Sequence, residues 1–171
     1  MSNSEKYMKM AEEFPFLIKK GNKTKSDGTL LTHLDDLPMG WVETFAYQMC
    51  QEIKDILVEM GELDTYEIYK VDEKCGTLGW EDNSDSQKLK DIIRKYRGIA
   101  MDTCIRCPRV AEYDRKIGMS PYCPVCAKRE FDAYVKLYEK LQKYVRKPYD
   151  VSSLSFTDLF VTHETYETFH Y

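Results

Sequence analysis

The sequence predicts an α+β fold: helices around a small antiparallel hairpin or sheet, a cysteine-built ribbon, and a long C-terminal helix. Three observations carry that expectation. Apolar residues recur at three- and four-residue steps in three stretches, 42–60, 89–100 and 131–145, the period of amphipathic helices. Thr65–Asp72 is rich in aromatic and β-branched residues and is followed by a turn and a return run, the pattern of a hairpin. Residues 104–126 read Cys104-Ile-Arg-Cys107, fifteen residues, then Cys123-Pro-Val-Cys126.

In chain order, Ser4 is placed to cap a short helix that runs to about Glu13 and stops before Pro15, because a residue preceding proline is pushed towards extended geometry. Phe16-Leu17-Ile18 has the composition of a short strand, and Gly21–Gly28 that of turns, with its two lysines in solvent. Val42, Phe45, Ala46, Met49, Ile53, Ile56, Leu57 and Met60 share one helix face, and Gly61 ends that helix. Cys50 flanks the stripe as a small buried hydrophobe. Glu73-Lys74-Cys75-Gly76 supplies the hairpin turn, and Thr77 opens the return strand. Ser84, Asp85 or Ser86 caps a helix whose apolar face is Leu89, Ile92, Ile93, Tyr96 and Ala100, and which delivers the chain to Cys104. Between the cysteine pairs there is room for a small hairpin turning near Gly118. A last helix from about Lys128 carries Phe131, Tyr134, Val135, Tyr138, Leu141 and Val145 on one face and stops at Pro148. Val151–Tyr171 fits neither the helix nor the strand period. These elements divide the chain into an N-terminal α+β part (1–103), a ribbon (104–126), a basic amphipathic helix (127–148) and an acidic aromatic tail (149–171).

Two C-x-x-C pairs at this separation are the spacing of a structural zinc site, in which each pair forms a knuckle presenting both sulfurs to one ion. Cys104, Cys107, Cys123 and Cys126 are therefore the expected ligands of one Zn2+ per chain. Four thiolates leave no open position for water or substrate, so the expected role is structural. Paired disulfides are the rival. The polar N-terminus leads into no apolar leader and no apolar run reaches the length of a membrane span, so the expected compartment is the reducing cytoplasm, with no membrane contact.

The net charge of −4 conceals a separation by sign. Residues 1–87 carry 9 basic against 18 acidic side chains, residues 88–147 carry 16 against 7, and the remainder carries none against 4. The basic segment offers a surface for an anionic partner, with Lys128, Arg129, Lys136, Lys140, Lys143 and Lys147 as contact candidates. Alternatively, the acidic half docks on the basic half. In the tail, Phe156, Phe160, Tyr166, Phe169 and Tyr171 alternate with acids, either to engage a basic partner or to pack back on the chain.

The order Gly40-Trp41 opening a helix, then Glu73-Lys74-Cys75-Gly76-Thr77-Leu78, then Thr103-Cys104 with its partner pair, resembles a group of phage and prophage proteins. The hairpin of that group reads roughly K-E-K-F-G-T-L-R and precedes a helix and a cysteine-paired ribbon. The resemblance covers about residues 40–126, and the sequence departs from it at Asp72, Cys75 and Gly79. It implies phage or mobile-element origin. Small phage proteins of this size often act by binding and blocking host machinery, so the expected function is that of a non-enzymatic binding protein that occludes a host protein or nucleoprotein complex, such as an anti-defence inhibitor of a CRISPR nuclease. The alternative is a DNA- or RNA-binding protein using residues 88–147. A third reading takes Asp64, Asp72 and Lys74 as a metal-dependent nuclease site, since a carboxylate-x-lysine triplet on a strand can hold Mg2+. His33, His163 and His170 match no metal or triad spacing, and there is no phosphate loop or H-E-x-x-H. No residue is therefore expected to be catalytic.

Overall fold

The computed structural model describes residues 3–21, 23–142, 144 and 151–162. Helix α1 (Asn3–Glu13) is followed at once by a 3-10 turn over Pro15–Leu17 rather than by a strand. Proline at the first position of that turn supplies the fixed φ that a helical turn needs. Phe16 and Leu17 are buried by it, and only Ile18 makes an isolated antiparallel bridge, to Thr32. A second 3-10 turn, His33–Asp36, is closed by a capping box in which the Asp35 carboxylate accepts from Thr32.

Met39–Trp41, a π-helical turn Val42–Ala46 and Tyr47–Met60 form one helical run, α2, ended by Gly61 in the left-handed conformation. Its buried stripe is the expected one: Val42, Phe45, Ala46, Met49, Ile53 and Leu57 are all inside, and Cys50 is wholly buried. The hairpin pairs β1 (Ile68–Lys74) with β2 (Thr77–Asp82). Glu73 and Lys74 belong to the strand, and the turn is Cys75-Gly76 alone, both with positive φ (50° and 80°). That two-residue geometry matches the twist of the flanking strands. Helix α3 (Gln87–Met101) lays Leu89, Ile93, Tyr96 and Ala100 on β2 and α2. Together with α1 these elements enclose the larger core, in which Trp41, Phe14, Leu17, Met49, Ile53, Leu57 and Tyr96 are almost wholly buried.

The second, smaller core lies in the ribbon. Strand β3 (Tyr113–Arg115) pairs with β4 (Pro121–Tyr122) on one side and β5 (Phe160–Thr162) on the other. Helix α4 (Pro124–Gln142) begins four residues before the expected Lys128, because Pro124 suits the first position of a helix. Of its apolar stripe, Phe131, Tyr134, Val135 and Tyr138 are half-buried, while Leu141 is 50% exposed. Val145 and Pro148 lie outside the described residues. Within the described part of the tail, helix α5 (Phe156–Leu159) leads into β5 although the sequence fits neither period. Phe156 and Phe160 stack at 4.9 Å and meet Tyr113, Tyr122 and Phe131 edge-on. They pack back on the chain. Of the two readings of the tail, the structure gives these two residues the one in which they pack back on the chain, Phe160 buried and Phe156 half-buried; Tyr166, Phe169 and Tyr171 lie outside the described residues.

Candidate metal centre

Each cysteine pair is held by a different kind of scaffold. The first is a knuckle after α3. The Cys104 amide donates to Arg109 O (2.9 Å), the Arg109 amide to Cys107 O (2.8 Å), and the Arg106 amide to the Cys104 sulfur (3.4 Å). The second pair straddles the start of α4, with Cys123 just before Pro124 and Cys126 in the first turn, where backbone N–H groups and the positive end of the helix favour thiolate. The strand pair β3–β4 brings the two together, and the Ile105 amide donates to Pro121 O across the join (3.0 Å).

All four sulfurs lie within 4.8 Å of one another. Cys107 Sγ is 3.6 Å from both Cys123 Sγ and Cys126 Sγ. A tetrahedral ion with metal–sulfur bonds of about 2.3 Å sets its ligands about 3.8 Å apart, so the donor set fits one such ion. None of the six cysteines is in a disulfide. Cys104, Cys123 and Cys126 are buried and Cys107 is half-buried. Burial and then the neighbouring thiols push Cys107 and Cys126 up. For Cys123 burial acts upward too, but the Cys126 backbone N–H and the adjacent thiols outweigh it and bring it down to about 7. Sulfurs this crowded cannot all ionise without a cation among them.

The larger core grips the knuckle from behind. Gly40 donates its amide to Ile105 O (3.1 Å), and Trp41 Nε1 donates to Thr103 O (3.0 Å). A side chain at Gly40 would put its Cβ 1.9 Å from Cys104 O and 2.7 Å from Cys107 O. The hairpin turn closes on the ribbon from a second direction. A Cβ at Gly76 would sit 2.3 Å from Met119 O, and the Glu73 carboxylate accepts from the Gly76 amide (2.7 Å) and the Ser120 hydroxyl (3.3 Å).

No protein-family model matches the sequence, and no curated protein or solved structure matches it either. Function is therefore read from the chemistry of the sites themselves.

The other candidate residues are scattered. Asp72 pairs with Lys70 (2.5 Å), and Asp64 and Lys74 are exposed. Among the described residues the four cysteines are the only group of three or more His, Cys, Asp or Glu side chains placed to share an ion. Much of the basic segment faces acids: Lys88 pairs with Glu59 and Lys95 with Glu52 across α2 and α3, and Arg106 and Arg115 both approach Glu130. Lys128 pairs with Asp132 (3.1 Å). Arg129, Lys136 and Lys140 stay exposed on one face of α4 with no ion pair among the described residues, while Lys143 and Lys147 lie outside them. No helix among the described residues is long and apolar enough to cross a membrane.

Proposed function

We propose that Cys104, Cys107, Cys123 and Cys126 hold one Zn2+ as a closed structural centre, and that the chain is a non-enzymatic binding protein of phage or mobile-element type that occludes a host protein or nucleoprotein complex. The observation that carries this reading is the four-sulfur cluster itself, sized for a tetrahedral ion, coordinatively complete, and clamped by Gly40 and Gly76 between the two cores. A centre of that kind shapes a surface rather than activating a substrate. Several large apolar side chains stay exposed in and around the ribbon: Val110, Ile117, Val125, Leu137 and Leu141 are each 50–78% exposed. Apolar side chains left in water beside a rigid scaffold are what a protein partner covers. The bare face formed by Arg129, Lys136 and Lys140 keeps nucleic acid within such a complex as a second reading.

Elemental analysis of the purified chain should return one zinc per chain, and Cys107→Ser should abolish it. Structural zinc contributes about 10–16 kcal/mol in small peptides, so the substituted chain should lose the ribbon's order. Host partners captured on the zinc-loaded chain should survive nuclease treatment of the lysate. Capture that vanishes with nuclease would replace protein occlusion by nucleic-acid binding, and a metal-free chain with unaltered melting would overturn the zinc assignment.

A further inference from the structure

Away from the cysteines, a cleft of about 350 Å3 opens between Lys19, Lys20 and Lys23, the His33–Asp36 turn and the start of β1. Four of its lining residues are lysines, Lys19, Lys20, Lys23 and Lys70, against two carboxylates, Asp36 and Glu67. Lys19 reaches Asp36 (2.5 Å), Lys20 pairs with Glu67, and Lys70 turns to Asp72 outside the lining. Lys23 has no ion pair among the described residues. Positive charge is thus in surplus, and it converges from two segments more than forty residues apart.

Two further features belong to the same lining. His33 lines the cleft and is only 5% exposed, yet its Nδ1 is buried without a hydrogen-bond partner. A buried polar atom left unpaired is costly unless something completes it. Tyr69, also in the lining, is the extra residue of a β-bulge: Ile68 faces Asp82 and Lys70 faces Glu81, so Tyr69 has no partner on β2. Bulges re-aim a side chain, and this ring, 59% exposed, is a large aromatic surface at the rim of a basic cleft.

We propose that this cleft binds a nucleotide, its phosphate held among Lys19, Lys20, Lys23 and Lys70, with His33 beside it and the base stacked on Tyr69. Lysines recognise the charge without reading sequence, and an aromatic face accepts any base, so the site is suited to a nucleotide of either a free ligand or a single strand. The volume is that of a small-ligand pocket, at the lower end of roughly 300–1,000 Å3. The site is separate from the cysteine centre, so it stands or falls independently of the zinc reading.

The test titrates the full, zinc-loaded chain with three probes: adenosine monophosphate, inorganic phosphate, and a labelled single-stranded oligonucleotide about 12 nucleotides long. The monophosphate or the oligonucleotide should bind, with affinity falling as salt rises, and which of the two binds more tightly identifies the source. Tyr69→Ala should weaken binding about ten-fold while Tyr69→Phe leaves it close to the parent. Lys20→Glu with Lys23→Glu should weaken it at least as much and flatten the salt dependence. Lys136→Glu with Lys140→Glu should leave it unchanged. Independently of the variants, the imidazole resonance of His33, assigned by its absence in His33→Gln, should shift when the monophosphate is added. Silence of all three probes would overturn the proposal. So would binding that ignores Tyr69→Ala, and so would binding lost only with the α4 substitutions.

Discussion

Gly40→Ala is the smallest change that tests how the metal centre is held. The added methyl would meet Cys104 O at 1.9 Å, Cys107 O at 2.7 Å and the Cys107 amide nitrogen at 2.8 Å, all backbone atoms with no rotamer to yield. Restoring ordinary contact of 3.4 Å at the first of these requires the helix start or the knuckle to retreat by about 1.5 Å. A shift of that size breaks the hydrogen bond from the Gly40 amide to Ile105 O and strains the one from the buried Trp41 indole to Thr103 O. Overpacking costs about 1–3 kcal/mol, and each lost hydrogen bond about 1 kcal/mol. Alanine recovers up to about 1 kcal/mol through helix propensity. The net expectation is a loss of about 2–4 kcal/mol, out of the roughly 5–15 kcal/mol typical of a folded domain.

Gly98→Ala is the matched control. Gly98 is exposed on α3 and a Cβ there meets nothing within 4 Å, so the same substitution should stabilise by about 0.5–1 kcal/mol. Thermal melts of the two zinc-loaded variants should move in opposite directions, Gly40→Ala falling by roughly 5–15 °C, at about 2–4 °C per kcal/mol for a chain of this size. A chelator should also strip metal from Gly40→Ala faster than from the parent. If both variants melt above the parent, with equal rates of metal release, the clamp described here does not exist.

Gly76→Ala meets both a positive φ of 80° and Met119 O at 2.3 Å, so its urea midpoint should fall well below that of Cys75→Ser, whose side chain is exposed in the same turn. Phe160→Ala empties a position that is 2% exposed between Tyr122 and Phe156; it should cost about 3–5 kcal/mol and make β5 sensitive to protease. His33 is held below its ordinary pKa, first by burial and then by the charge of Lys19, with Asp36 and the Ile68 backbone opposing. Unfolding therefore takes up a proton, so the contribution of His33 is complete above pH about 6.5 and is lost as pH falls towards the lowered folded value. Between neutral and mildly acidic pH the denaturation midpoint of the parent should fall more than that of His33→Gln, and equal slopes would refute the assignment.

What the sequence disclosed follows from local physics. The stripe from Val42 to Leu57 is legible because a helix repeats its buried face every three to four residues, whereas the hairpin was legible only to within two residues at its turn, since Glu73 and Lys74 extend the strand and Cys75-Gly76 alone make the bend. The four cysteines are legible because chelation fixes their local spacing. Features that depend on what lies opposite were hidden. Strand β5 has no alternation; it forms because Phe156 and Phe160 find cover on Tyr113, Tyr122 and Phe131, which lie 25 or more positions earlier. The pairing of Glu52 and Glu59 with Lys95 and Lys88 likewise depends on α2 and α3 lying side by side. The lysine cleft gathers residues from three segments that share no motif, and the isolated His33 gives no spacing to read.

Residues from two distant elements, the start of α2 and the hairpin turn, converge on the metal centre. Gly40 and Gly76 belong to elements thirty-six positions apart, yet each is the point where backbone must touch backbone, one at Cys104 and the other at Met119. Trp41 is buried and fastens Thr103, the residue before the first ligand, and Glu73 spends its carboxylate on the hairpin turn and on Ser120. A charged residue so engaged is not free to activate water or hold a second ion, so its position is explained by docking. Asp72 and Gly79 are direct cross-strand partners, and the Asp72 Oδ1 occupies the space a side chain at Gly79 would need, 2.1 Å from the position of its Cβ. Asp72 and Gly79 are therefore sterically coupled across the hairpin, away from the contacts that hold the ribbon.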